Sequence, residues 1–248
     1  MPFPMPRRIA GYAISYSPKP VRVILCEIAK IKSAAILSEM DRPEATGLSI
    51  RHFTKTETLF IHIPKTAGIS WVKGLFDAEP IGHYTAENFL LYYGASKFDR
   101  MFKFSVCRHP LDRFISAYSF LASGGINQAD ENFFETVLSK YSGIEEFVME
   151  GLDESVERQI HFLPQWRFIV DPRTNKICCD RLIYFEEIQQ GFAEIANWLG
   201  RNPELPKLNK TKGQKSKNAV LSADAIEKLR KTYAVDTELL GYKWPNNG

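Results

Sequence analysis

A lysine and several small residues follow a short apolar segment in the sequence IHIPKTAGISW, residues 61–71. The apolar residues 59–63 predict a strand that ends at Pro64, and apolar residues at helical spacing begin at Ile69. Main-chain N–H groups at the start of a helix, next to a lysine, form a site for a phosphate or another tetrahedral anion. We therefore predict that the turn around Lys65 binds an anion of this kind.

The order of residues in this turn differs from that in the phosphate loop of kinases and ATPases. The Walker A pattern places a lysine and a hydroxyl residue directly after a glycine, whereas Lys65 precedes Gly68. The turn is also shorter, so we expect it to hold one terminal anionic group and not a triphosphate. Taken alone, the segment has the alternative of an ordinary surface turn that carries a lysine.

A second segment with polar residues after an apolar run is SVCRHPLDRFISAY, residues 105–118. It predicts a strand that ends at Arg108 and a following helix that carries Ser116. An arginine fork and a serine hydroxyl can bind the same phosphate, and ligands of parallel sheets bind at the carboxyl ends of strands. We predict a second phosphate site here. The alternatives are an ion pair of Arg108 with Asp112 and a solvated helix position for Arg113.

The segments that must position these residues alternate between two types along the chain. Apolar runs predict strands at residues 59–63, 102–107, 168–170 and 182–185. Helical spacing predicts helices at residues 69–76, 111–121 and 188–199, a short one starting near Asn132, and a last one capped by Ser222. Strands that alternate with helices indicate an α/β fold with a central, mostly parallel sheet flanked by helices.

The N-terminal fifth of the chain contains no chemical motif. Residues 1–20 include five prolines and predict an irregular arm, and residues 21–38 are apolar enough for a helix. Residues 41–56 are polar and predict a linker. We therefore divide the chain into an N-terminal arm with a helix packed on the domain edge, residues 1–57, and one domain over residues 58–248.

Composition excludes several classes of protein. The chain has 248 residues, 44% hydrophobic and 25% charged, as in ordinary globular domains. Its net charge of +3 is too small for the general basic field of a nucleic-acid binder. Cys26, Cys107, Cys178 and Cys179 lack zinc-type spacing, and we expect reduced thiols. No apolar run is long enough to span a membrane and no signal peptide is evident, so we expect a cytoplasmic protein.

The two anion-binding segments together resemble the sulfotransferases that use 3′-phosphoadenosine-5′-phosphosulfate (PAPS), in particular carbohydrate O-sulfotransferases of the glycosaminoglycan type and their bacterial relatives. The resemblance implies a P-loop-like sulfotransferase fold. In that family the turn holds the 5′-phosphosulfate end of the donor, and the arginine–serine pair holds the 3′-phosphate. The residues that it assigns to the donor are Pro64, Lys65, Thr66, Ala67, Gly68, Ile69, Ser70, Trp71, Arg108 and Ser116.

Three later segments extend the resemblance. These are residues 161–165 (HFLPQ), residues 181–188 (RLIYFEEI) and the C-terminal residues 209–242. The last segment begins with a lysine-rich loop, in which Lys212 and Lys215 would close over the 3′-phosphate as part of a mobile lid. The alternative for this loop is an ordinary solvated charged surface.

A base for the acceptor hydroxyl is sought among five histidines. His83 resembles the general base of related glycosaminoglycan sulfotransferases, and an imidazole accepts a proton near neutral pH. His161 is the second candidate, and a surface-loop histidine without a chemical role is the alternative for His83. We expect His62 and His109 to be structural, because one lies in the first predicted strand and the other in an Arg-His-Pro turn.

The resemblance implies in-line transfer of a sulfuryl group from PAPS to an acceptor hydroxyl, with release of 3′-phosphoadenosine-5′-phosphate (PAP). Lys65 would neutralise the charge that grows on the bridging oxygen, and no metal is expected. A carbohydrate acceptor is implied by resemblance alone, and a small-molecule or lipid-linked acceptor stays open. The alternative functions are a kinase with a degenerate phosphate loop and a catalytically silent protein that binds PAP or another nucleotide.

Overall fold

A computed structural model describes residues 14–28, 40, 48–206 and 221–245 of the chain. These residues form two compact units, and each unit is built from separate stretches of sequence. The first unit comprises residues 14–28, 40, 48–63, 68–106 and 166–206. The second unit comprises residues 64–67, 107–165 and 221–245.

The described helices and strands are numbered in chain order. The helices are α1 Lys19–Ile28, α2 Ser49–Thr56, α3 Gly68–Phe76, α4 Ala86–Tyr93, α5 Ala95–Arg100, α6 Pro110–Ala122, α7 Gln128–Thr136, α8 Ile144–Glu146, α9 Trp166–Ile169, α10 Ile188–Trp198, α11 Ala223–Thr232 and α12 Ala234–Leu240. The strands are β1 Thr58–Ile61, β2 Phe102–Cys107, β3 Val170–Asp171, β4 Lys176–Ile177 and β5 Arg181–Tyr184. Single helical turns of other types lie at Leu138–Lys140, Phe147–Gly151, Val156–Arg158 and Phe185–Glu187.

The first unit contains a three-stranded sheet with the order β1-β2-β5. Strands β1 and β2 pair in parallel, with Thr58 opposite Phe102 and Ile61 opposite Ser105. The Ser105 hydroxyl donates to the Ile61 carbonyl oxygen at 2.7 Å. Side chains on both faces of β2 are buried, which explains its nearly continuous apolar sequence. The predicted α/β class with a central parallel sheet flanked by helices is confirmed.

Two predictions for the first unit were wrong. Residues 49–56, predicted as part of a linker, form α2. Their polar composition hides an apolar pair, Ile50 and Phe53, which are three positions apart and both buried. The segment 168–170 is mostly the end of α9, and its last residue opens the short hairpin of β3 and β4. The Asp171 carboxylate stabilises that hairpin turn by accepting from the Arg173 main-chain and side-chain N–H groups.

The second unit has a core in which α6 and α11 pack with residues 138–162. Phe114, Phe147, Phe162 and Tyr233 are fully buried in it, and the Tyr233 hydroxyl donates to the Phe162 carbonyl oxygen at 2.7 Å. The final predicted helix is confirmed as α11, and the Ser222 hydroxyl accepts from its first turn as an N-cap should.

Helix α6 carries several of the predicted site residues. It begins at Pro110, and the preceding His109 caps it by accepting from the Leu111 N–H at 3.2 Å. It ends before Gly124 and Gly125, both with positive φ angles, as predicted. The helix that we expected to start near Asn132 begins earlier, at Gln128. Its polar first turn concealed this start.

Two further observations bear on the sequence predictions. Within the described ranges, no helix combines the length and the apolar character that crossing a membrane requires. Among the described residues, Cys107, Cys178 and Cys179 form no disulfide, and the side chain of Cys26 lies outside the part of the chain that is described.

Candidate active site

The turn between β1 and α3 has an unusual main-chain conformation. Lys65 and Ala67 adopt φ angles of 71° and 62°, in the left-handed region that residues with a Cβ atom rarely occupy. Each such residue costs on the order of 1–3 kcal/mol and is kept where surrounding structure or function demands it. Turns of this kind direct successive N–H groups towards one point and form anion-binding concavities.

Gly68, the first residue of α3, is the position where a side chain has no room. A Cβ atom there would lie 1.9 Å from Cδ2 of His62. His62 is itself buried, and its ring stacks on Phe60 with centroids 5.8 Å apart. Glycine is therefore required at residue 68 because the His62 ring packs directly against the start of α3. His62 is a packing residue, as predicted.

The remaining residues of the turn differ in their access to solvent. Pro64, Thr66 and Ser70 are buried, whereas Ile69 is partly exposed. The side chain of Trp71 is fully buried and packs against three phenylalanine rings. The Trp71 side chain is thus committed to this packing, and Trp71 can offer a ligand only its main chain.

The ammonium group of Lys65 lies over an aromatic ring. Its Nζ atom is 3.9 Å from the centroid of Phe120, on α6. No residue in the described part of the chain forms a hydrogen bond or an ion pair with this Nζ. Burial, together with the positive charge of Arg108, lowers the pKa of Lys65 to about 8, and Asp130 partly opposes both effects. Lys65 is therefore a cation at neutral pH that is ready to gain an anionic partner.

The structure brings Arg108 together with Lys65. Its Nη1 atom donates to the Lys65 carbonyl oxygen at 3.3 Å. The Gln165 side chain forms two hydrogen bonds with the main chain of Arg108. It accepts from the Arg108 N–H at 3.0 Å and donates to the Arg108 carbonyl oxygen at 2.8 Å. Gln165 is fully buried, and its N–H donates to Asp236 at 2.8 Å. Two cations are thus fixed next to the strained turn.

Ser116 and Arg113 lie on the helix that follows Arg108. Ser116 is partly buried in the second turn of α6, and its hydroxyl forms no hydrogen bond with a residue that the structure describes. The solvated position considered for Arg113 was wrong. Arg113 is fully buried, and it donates to the carbonyl oxygens of His161 and Leu163 at 3.0 and 2.8 Å.

His83 precedes α4 and contacts His62. Its Nδ1 atom is 3.4 Å from the His62 carbonyl oxygen, and the two rings have centroids 4.3 Å apart. Because a carbonyl oxygen can only accept, this contact puts the proton of a neutral His83 on Nδ1 and leaves Nε2 as an acceptor. The side chain is partly exposed, so it is accessible to an external group.

His161 has the opposite environment. It is buried, and its Nε2 atom lies 3.1 Å from Oδ1 of the buried Asp130. Burial lowers the pKa of His161, and the Asp130 carboxylate partly opposes that effect. His161 is thus already engaged by a carboxylate inside the second unit.

The remaining predicted residues are His109, Lys212 and Lys215. His109 is structural, as predicted, since one ring nitrogen caps α6 and the other lies 3.0 Å from the Lys243 carbonyl oxygen. Lys212 and Lys215 lie outside the described residues. Gln165 and Asp130 were not predicted as site residues, although Gln165 belongs to the quoted HFLPQ segment. That segment was the one available signal for it.

Comparison with known proteins agrees with this geometry. The chain matches the model of the sulfotransferase family over residues 50–243, a range that includes every residue of the site described above. A search of curated proteins and a search of solved structures returned no significant match. The match spans well over half of the chain and supports sulfuryl transfer as the general reaction. The chain belongs to the sulfotransferase family.

Proposed function

We propose that the protein is a PAPS-dependent O-sulfotransferase that transfers a sulfuryl group to an acceptor hydroxyl and releases PAP. The observation that carries this proposal is the strained turn at Lys65 and Ala67, with Arg108 held against it. Strain of this kind persists where function requires it. Two fixed cations and converging N–H groups suit a donor that is anionic at both its 5′ and 3′ ends.

Each residue of the site has a separate part in the proposed reaction. Main-chain N–H groups from Thr66 to Ser70 bind the 5′-phosphate, as at other helix starts. Lys65 stabilises the negative charge that develops on the leaving oxygen during in-line displacement. Arg108 and Ser116 bind the 3′-phosphate, and Lys212 and Lys215 close over it. Such electrostatic stabilisation is commonly the largest contribution to catalysis of this type.

We propose His83 as the general base that takes the acceptor proton. When Nδ1–H donates to the His62 carbonyl oxygen, the lone pair that can take a proton lies on Nε2, and the side chain is partly exposed. His161, the second candidate, suits this role less well because it is buried and its Nε2 atom already contacts Asp130. The His83→Ala variant should lose turnover but retain PAP binding.

We further propose that no metal takes part and that the protein works in the cytoplasm on a carbohydrate hydroxyl. Lys65, Arg108 and the N–H groups of the turn already neutralise donor charge, the role that magnesium has in kinases. If no metal takes part, turnover should be unchanged in excess chelator. The acceptor is proposed from family resemblance, and a panel of oligosaccharides, phenols and lipid-linked hydroxyls would test it.

The decisive experiment compares ligands by thermal unfolding. A ligand that binds only the folded state stabilises it by about 2.7 kcal/mol at one hundred times its dissociation constant. PAP should therefore raise the melting temperature, and ATP with or without magnesium should raise it much less. The Arg108→Gln variant should lose the PAP effect, whereas Arg100→Gln, a change at the C-terminal end of α5, should keep it.

The outcomes separate the possible functions. Stabilisation by ATP–magnesium without an effect of PAP would replace the proposal with a kinase. Stabilisation by PAP, with no loss of sulfate from PAPS in single turnover with any acceptor of the panel, would indicate a silent binding protein. Stabilisation by PAP together with acceptor-dependent release of PAP from PAPS is the result that we expect.

A further inference from the structure

A cluster of three side chains lies behind the ammonium group of Lys65. The Phe120 ring contacts Lys65 Nζ at 3.9 Å, and it also contacts the His161 ring, with centroids 4.9 Å apart. His161 in turn contacts Asp130, with Nε2 and Oδ1 3.1 Å apart. We call Phe120, His161 and Asp130 the Lys65 support. Its contacts form one continuous chain from the ammonium group to a buried carboxylate.

Asp130 is held in a place where a carboxylate is costly. Its exposed fraction is 3%, and charged side chains are rarely buried unless they are paired. Its Oδ2 atom accepts from the Ile126 N–H at 3.2 Å. A Cβ atom at Gly125 would lie 2.1 Å from the Asp130 Cβ, so the glycine turn after α6 packs directly against Asp130. The fold therefore packs this carboxylate tightly.

His161 is fixed from its main chain as well as through its ring. Its N–H donates to Gln159 Oε1 at 2.6 Å, and its carbonyl oxygen accepts from Arg113 Nη1 at 3.0 Å. The ring therefore cannot move without breaking several contacts of the core.

We propose that Phe120, His161 and Asp130 are positioning residues of the sulfuryl-transfer site, and that they act through Lys65. The ring face of Phe120 holds the ammonium group in one place, because cations are attracted to aromatic faces. The Asp130 carboxylate offsets the charge of Arg108 and keeps Lys65 protonated at neutral pH. This inference rests on the proposed function, in which Lys65 stabilises the leaving group.

The charges around Lys65 predict how its pKa should change when Asp130 is replaced. Burial and Arg108 lower its pKa to about 8, and Asp130 opposes them. The positive charge of Lys65 also lowers the pKa of His161, as does Arg113, so the cluster is electrostatically linked. Removal of the Asp130 charge should therefore lower the pKa of Lys65 further and leave more of it neutral at pH 8.

The test uses the charge-removing variant Asp130→Asn and its neighbour Glu131→Gln as a matched control. Glu131 is an exposed carboxylate in the same helical turn. Lysine side chains labelled by reductive ¹³C-methylation are titrated by NMR in the ligand-free protein, and the Lys65 signal is identified by its loss in Lys65→Met. We expect Asp130→Asn to lower the Lys65 pKa by about one unit and Glu131→Gln to leave it unchanged.

A second pair of variants tests the ring face and does not depend on Asp130. Phe120→Leu keeps an apolar side chain but removes the aromatic face, and Phe120→Tyr keeps the face. Leu should reduce kcat roughly 2- to 30-fold, the range expected for loss of a cation–π contact. Tyr should retain kcat. Tyr118→Leu, on the same helix with its ring 5.6 Å from Phe147, controls for general effects on packing.

The outcomes distinguish failure of this inference from failure of the proposed function. An unchanged Lys65 pKa in Asp130→Asn would overturn the inference whatever the activity, and so would equal kcat in Phe120→Leu and Phe120→Tyr when the wild-type protein turns over PAPS. If Asp130→Asn does not fold, the Phe120 pair decides. If the Lys65 pKa changes as predicted but the protein never turns over PAPS, the effect of Asp130 on Lys65 stands and the proposed sulfotransferase function is overturned.

Discussion

Two lysines of this protein, the buried Lys103 and the partly exposed Lys65, have opposite surroundings. Lys103, in β2, donates from Nζ to the carbonyl oxygens of Met101 and Phe98 at 2.6 and 3.2 Å, and Asp180 lies 3.6 Å away. Lys65 faces the ring of Phe120 and the positive charge of Arg108. The ammonium group of Lys103 has oxygen partners, whereas no residue that the structure describes offers an oxygen partner to the ammonium group of Lys65.

The main chains next to these lysines are fixed in the same way. Asp180 accepts from the Lys103 N–H and donates its own N–H to the Lys103 carbonyl oxygen, both at 2.7 Å. Gln165 does the same for Arg108, beside Lys65, with a side-chain amide. The two regions therefore share this main-chain arrangement and differ in the described partners of the cation. A cation that forms no ion pair with the described residues is suited to an anion that arrives with the substrate.

The largest difference should appear in activity. Lys65→Met is expected to lower kcat/KM for PAPS about 10²- to 10³-fold, the usual effect of removing one electrostatic stabiliser of a transition state. Lys103→Met should retain kcat, because its partners are structural. Steady-state release of PAP measures both. Full activity in Lys65→Met, or an equal loss in the two variants, would break the comparison.

The free energy of unfolding should change in opposite directions in Lys65→Met and Lys103→Met. The Lys65 pKa of about 8 lies below its ordinary value of 10.5. Folding therefore disfavours the charged form, fully so below pH 8, and this penalty decreases as pH rises from about 8 to 10.5. Lys65→Met should raise the free energy of unfolding at pH 7 by about 1–3 kcal/mol. Lys103→Met should lower it by about 1–3 kcal/mol, because carbonyl oxygens lose their donor.

Urea unfolding at pH 7 and pH 9.5 measures both effects. The gain from Lys65→Met should be smaller at pH 9.5, where the wild-type lysine is already mostly neutral. A loss of stability in Lys65→Met at pH 7 would show that its contact with Phe120 outweighs the cost of burying the charge. In that case Lys65 and Lys103 would both be structural cations.

The sequence predicted the positions of the site but not the surroundings of its charges. Strand β2 matches the prediction residue for residue, because a strand buried on both faces produces a continuous apolar run. Arg108 follows this strand and lies next to the turn that was identified from its own residues. Local patterns were sufficient for these features, and a resemblance in two short motifs was sufficient for the family.

Features that depend on distant residues could not be predicted. From the sequence, Arg113 is expected to be a solvated helix residue, since an arginine in a helix is usually exposed. Its guanidinium group instead donates to two carbonyl oxygens of a segment that is remote in sequence. The contact of Lys65 with Phe120 joins positions that no periodicity connects. Helix α2 was missed because two buried apolar residues in eight are too weak a pattern.

The pH dependence of the reaction should report the difference between the two lysines. The kcat/KM of the free enzyme should decline as pH rises through about 8, because Lys65 then loses its charge. The corresponding decline in kcat should occur at higher pH, since bound donor brings negative charge that favours the protonated lysine. The Lys103→Met variant should keep both profiles, and a flat kcat/KM between pH 7 and 9.5 would exclude Lys65 as the group that titrates.

The smallest effect is expected at the two residues that fix the neighbouring main chains. Gln165→Leu would remove the two hydrogen bonds that the Gln165 side chain forms with the Arg108 peptide, so the guanidinium group should be less well placed for a phosphate. We expect PAP affinity to fall roughly 5- to 10-fold, about 1 kcal/mol. Asp180→Leu removes the equivalent side-chain contact to Lys103 and should leave PAP affinity unchanged. Calorimetric titration with PAP compares them, and equal losses in the two variants would mean that rigidity of the whole chain, and not the placement of Arg108, determines donor binding.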